Sequence, residues 1–206
     1  MDQVDCKNIS HYMRLWFAIF LLLTVSVGAI ASEEDARDPR MFFFSQSFGD
    51  LPEELQVAKD QGKQGLLLFF EAEGCPYCLG MLKRVFSQKY VQDWYQERFL
   101  SIAIDIHGDV EIKDFDGITL PSKVFAQHRK VYMTPLMAFI DLDGNEIYRH
   151  LGMVKSPEEF LLMGEYITEG HYFDTEFTVF AENRGLHKQE TLVTPMNERS
   201  NPGEEK

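Results

Sequence analysis

The stretch that most restricts the fold is GLLLFFE, Gly65 to Glu71, followed four residues later by two cysteines in CPYC, Cys75 to Cys78. A continuous apolar run of this length, closed by a charge, fits a strand buried on both faces of a sheet. Proline directly after Cys75 fits the first turn of a helix, where the missing N–H would have no partner anyway. A strand covered on both sides needs helices above and below it, so the pattern predicts an α/β protein: a central mixed β-sheet flanked by helices on both faces.

The rest of the chain extends that pattern. Asp50, Pro52 and Glu53 open a helix with Leu51, Leu55 and Ala58 on one side. Helical spacing of Val91, Trp94, Tyr95 and Phe99 carries the region after Pro76 to about Phe99, with a break at Ser87–Lys89. LSIAIDI, Leu100 to Ile106, reads as a second buried strand, and the polar excursion from Gly108 to Lys130 turns helical from Pro121. Leu136–Leu142 and Glu146–Leu151 flank Asp143-Gly144-Asn145, a hairpin signal. Ser156-Pro157-Glu158-Glu159 is a capping box that opens a last amphipathic helix running to Gly170.

Leu15 to Ile30 is an apolar run of sixteen residues, preceded by Lys7 and Arg14 and followed by the small-x-small Ala29-Ile30-Ala31. Residues 1–31 therefore read as a secretory signal peptide, with an uncleaved membrane anchor as the alternative. Residues 32–49 read as a linker, 50–181 as the folded domain, and 182–206 as a disordered polar tail. Cleavage would remove Cys6 and leave Cys75 and Cys78 as the only cysteines, in a compartment where disulfides persist. The net charge of −13 argues against nucleic acid as a partner, because phosphate would be repelled.

Three readings of the cysteine pair compete. A structural zinc site needs four ligands, and His107, His128, His150, His171 and His187 show no paired spacing to complete one. A permanent staple across two intervening residues closes almost no loop and stabilises little. A redox pair has a positive reason: a sulfur at a helix start meets free N–H groups and the positive end of the helix dipole, which favour the thiolate. Cys75 is then the nucleophile, and Cys78, about one turn later, the thiol that resolves a mixed disulfide. Thr134-Pro135 stands just before the strand at Leu136, where an ordinary trans turn would also serve.

Together these residues resemble the thioredoxin fold, over about Leu51 to Tyr172. Within that superfamily FFEAEGCPYC, IDIHGDVEIKDFDG and TPLMAFIDLDGNEI resemble the exported, periplasmic thioredoxins of bacterial sulfur oxidation (the Sox system). The resemblance implies that Pro135 is cis and packs opposite Cys75, and that Thr134 offers its backbone to an extended substrate segment. It also implies that Gly152 leaves room for substrate and that Tyr77 stands at the rim. The dipeptide here is Pro76-Tyr77, shared with glutaredoxins, where reducing cytosolic thioredoxins carry Gly-Pro. The buried aspartate that thioredoxins carry six residues before the first cysteine is replaced by Phe69. Glu71, on the same face two residues later, is the candidate for proton transfer to and from Cys78; a solvated strand end is the other reading.

The expected activity is that of an exported protein thiol–disulfide oxidoreductase, running as a reductant resupplied by a membrane electron donor. It implies protein thiol and disulfide substrates, neither cofactor nor metal, and a monomer. A glutathione-linked activity and a non-catalytic binding module are the alternatives.

Overall fold

In the computed structural model, which describes residues 36–186, the apolar run forms strand β1, Gly65–Glu71, with every residue but Glu71 buried. It parallels β2, Phe99–Asp105, and runs antiparallel to β5, Leu136–Asp141, which pairs in turn with β6, Glu146–Leu151. The sheet order is β2-β1-β5-β6, so β1 and β5 are interior. Alternation along these two strands sends Leu67, Phe69, Met137 and Phe139 into one hydrophobic core, and Leu66, Leu68, Phe70, Ala138 and Ile140 into a second on the opposite face. Two cores on one sheet are what the doubly apolar runs require, and the predicted mixed sheet with helices on both faces is observed.

Seven α-helices are present among the described residues: α1 Pro39–Phe42, α2 Leu51–Asp60, α3 Pro76–Arg84, α4 Lys89–Arg98, α5 Ser122–His128, α6 Pro157–Thr168 and α7 Phe177–Asn183. Asp50 caps α2 by accepting from the Glu53 N–H at 3.1 Å, and Leu51, Leu55 and Ala58 form its buried side as expected. The break expected at Ser87–Lys89 separates α3 from α4. The Ser87 hydroxyl donates to the Lys83 carbonyl at 2.8 Å there, drawing on an acceptor in the last turn of α3. Ser156 caps α6, accepting from Glu159 N–H at 3.2 Å. Within the polar excursion a short hairpin of β3, Glu111–Lys113, and β4, Thr119–Pro121, precedes α5. These strands are too short to show an alternating pattern in sequence.

Two boundaries differ from the sequence reading. The segment read as a linker, 32–49, packs on the domain from Ala36 onward. Asp38 caps α1, Arg37 pairs with Asp93 at 2.6 Å, and Phe43 and Phe44 are buried in the first core. Phe43 stacks on Phe86 with centroids 4.3 Å apart, so apolar burial outweighs the polar stretch before it. At the other end, the tail read from 182 begins inside α7, whose Phe177, Phe180 and Ala181 are buried, and Leu186 still packs against that core. Among the described residues no helix is long and apolar enough to cross a membrane. The signal-peptide run, Cys6 and residues 187–206 lie outside the described residues.

Candidate active site

The turn from β1 into α3 builds the cysteine site. Gly74 takes a positive φ of 74°, which reverses the chain after Glu71, and the Cys75 N–H donates to the Ala72 carbonyl at 3.2 Å. Cys75 is the N-cap of α3: its Sγ accepts from the Cys78 N–H at 3.1 Å, with Pro76 at the first helical position. The two cysteines form a disulfide with Cα atoms 5.3 Å apart. Cys75 is partly exposed while Cys78 is buried, so only the first sulfur can be approached from outside.

Fifty-nine residues downstream, the Thr134 carbonyl oxygen lies 3.7 Å from Cys75 Sγ, and the Thr134–Pro135 bond is cis, as the resemblance implied. The Gly152 N–H donates to the Pro135 carbonyl at 2.8 Å. Gly152 has φ 100°, and a Cβ placed there would meet no heavy atom within 4 Å, so open space adjoins Pro135. Tyr77 is 62% exposed between the cysteines. Tyr132 and Met133, just before Thr134, are exposed as well, and no periodic signal in the sequence marks them.

Behind the disulfide is a pocket of about 560 Å³ whose wall includes Arg40, Glu71, Glu73, Cys75, Cys78 and Asp105. Glu71 is not a solvated strand end. Its side chain is only 14% exposed, and both carboxylate oxygens accept from the Arg40 guanidinium, at 2.5 and 2.6 Å. That hydrogen bond, against the opposing effect of burial, raises the Arg40 pKa. Arg40 is the site residue the sequence did not disclose, because its partner lies 31 positions away and its segment reads as a linker. Phe69, at the position where thioredoxins carry the buried aspartate, is fully buried against Phe44 and Phe86, at centroid distances of 5.6 and 5.0 Å. Elsewhere Asp114, Asp116 and His128 bring ligand atoms within 4.8 Å of one another, but the Arg129 guanidinium occupies the Asp114 carboxylate and none of the three lines the cysteine pocket.

A thioredoxin-fold protein from Helicobacter pylori is similar, with 22% identity and a TM-score of 0.55 over 74% of this chain and 98% of that one. The C-terminal domain of Neisseria meningitidis DsbD in its oxidised form shares 16% identity, with a TM-score of 0.41 over 55% and 89% of the two chains. A Thermus thermophilus thioredoxin shares 25%, with a TM-score of 0.43 over 57% and 82%. The first of these shows the fold. No curated protein sequence matches the chain significantly. The profile of the thioredoxin-like domain matches residues 51–168, more than half the chain and the whole span from α2 to the end of α6, and the protein belongs to that family.

Proposed function

We propose that the protein is an exported thiol–disulfide oxidoreductase acting on protein substrates. The observation that carries the reading is the position of Cys75 Sγ, which accepts the Cys78 N–H at the N-terminus of α3 and faces the Thr134 carbonyl. Reduction of the pair leaves that sulfur where backbone N–H groups and the helix dipole favour an anion.

The Cys75 thiolate attacks one sulfur of a substrate disulfide, forming a mixed disulfide and expelling the other substrate sulfur as a thiolate. Cys78 then loses its proton and attacks Cys75 Sγ, which releases the second substrate sulfur and restores the Cys75–Cys78 disulfide. Two electrons pass to the substrate in each cycle. Glu71, on the wall of the same pocket, is the carboxylate assigned to take the Cys78 proton. The backbone of Thr134 pairs with an extended substrate segment, Gly152 leaves space beside Pro135, and Tyr77 with Met133 contacts substrate side chains.

Export, a membrane electron donor and kinship with the sulfur-oxidation thioredoxins rest on the leader-like run and the three sequence stretches quoted above. The charge of the pocket argues against glutathione, whose carboxylates would meet Glu71, Glu73 and Asp105 and one guanidinium already engaged by Glu71. Equilibration of the pair against glutathione or dithiothreitol buffers tests the proposal. A reversible two-electron couple is expected, about −270 mV for a reductant or about −120 mV for an oxidant. Absence of such a couple would leave a binding module.

A further inference from the structure

Arg40 lies outside the span matched by the family profile, yet it reaches the cysteine pocket. Its approach is built rather than incidental. Phe43 and Phe44 anchor the end of α1 in the core, Asp38 caps the helix, and the Arg40 guanidinium passes 5.7 Å over the Phe44 ring before forking onto Glu71. Four charged groups line the pocket with the two sulfurs: Glu71 at the end of β1, Glu73 in the turn after it, Asp105 at the end of β2, and Arg40 from α1. Arg40 is the only cation among them. Without it, the charged groups lining the pocket with the two sulfurs would be three carboxylates, beside a cysteine that must become an anion.

We propose that Arg40 is a positioning residue of the redox site: by neutralising Glu71 on the pocket wall it holds the Cys75 thiolate in its working pH range and thereby sets the balance between dithiol and disulfide. The proposal rests on the thiol–disulfide reading of the cysteine pair. A carboxylate near a thiolate disfavours the anion, and a guanidinium bound to both its oxygens cancels most of that field. A less stable thiolate also makes the dithiol state less stable, so the same change shifts the redox equilibrium toward the disulfide.

The test is a double-mutant cycle read by the pH dependence of iodoacetamide alkylation of reduced Cys75, with the labelled residue identified by mass spectrometry. Arg40→Gln should move the midpoint up by about half to one pH unit, which is roughly a three- to tenfold loss of thiolate at a pH below the midpoint. Glu71→Gln should move it down, the double variant should return close to the parent, and Arg40→Lys should retain most of the parent value. Equilibration of Arg40→Gln with glutathione should show a parallel shift toward disulfide. Should that variant fail to fold, Glu71→Gln decides alone, since its midpoint must fall. A midpoint unmoved by Arg40→Gln, or single variants that shift in the same direction, would overturn the proposal. A parent midpoint equal to that of free cysteine would instead sink the thiol–disulfide reading itself.

Discussion

Cys75→Ser is expected to lower the rate of insulin disulfide reduction by roughly 10³-fold or more, to the background of the reductant alone. A serine hydroxyl stays protonated near neutral pH and forms no mixed disulfide, so the N-cap position has nothing to stabilise. The fold should be retained, because serine is itself a preferred N-cap and can accept the Cys78 N–H that Sγ accepts now. Cys78→Ser should behave differently. It keeps the partly exposed Cys75, the proposed nucleophile, and loses only the buried thiol proposed to resolve, so substrates should accumulate on Cys75 as mixed disulfides that dithiothreitol releases. Insulin reduction retained by Cys75→Ser would contradict the assignment of the nucleophile.

Phe43→Ala should destabilise the domain by about 3–5 kcal/mol, although Phe43 falls in a stretch that reads as a linker. The ring is 1% exposed, stacks on Phe86, and lies 5.8 and 6.1 Å from the rings of Tyr95 and Phe160. Tyr95 and Phe160 are themselves stacked at 4.0 Å, and the Tyr95 hydroxyl donates to the Phe160 carbonyl at 2.6 Å, so the cluster cannot close over the cavity without breaking its own geometry. At about 2–4 °C per kcal/mol for a domain of this size, Tm should fall by roughly 10 °C. Met41→Ala, two positions away and 73% exposed, should stay within about 0.5 kcal/mol. Thermal unfolding of the two variants reads the contrast, and equal Tm values would mean that 36–44 is a linker after all.

What could be read in the sequence was local. GLLLFFE announces an interior strand because six adjacent apolar side chains can be buried only if both faces are covered. Ser156-Pro157 announces a helix start because the cap and the proline act within one turn. The cysteine site was legible because Cys75 and Cys78 share that same short range, and Thr134-Pro135 because proline is conspicuous wherever it stands. The remainder depended on contacts between distant segments. Phe43 and Phe44 follow a run of charges, and only Phe86, Tyr95 and Phe160 reveal that they are core. Within its own segment Arg40 meets only its cap and the Phe44 ring, and the Glu71 it forks onto lies at the end of the first strand. The buried side of α7 rests on just Phe177, Phe180 and Ala181, too few positions to establish a helical period. Phe69 illustrates the reverse case: the sequence shows that the family's buried aspartate is missing, while only the structure shows its place filled by aromatic packing.

The proposed chemistry requires an ionised sulfur at position 75, and the pH profile of alkylation of the fully reduced protein measures it most directly. The midpoint for Cys75 should fall clearly below the free-thiol value of about 8.5, with Cys78 protected by burial. A Cys75 profile that follows free cysteine across the whole range would contradict the account.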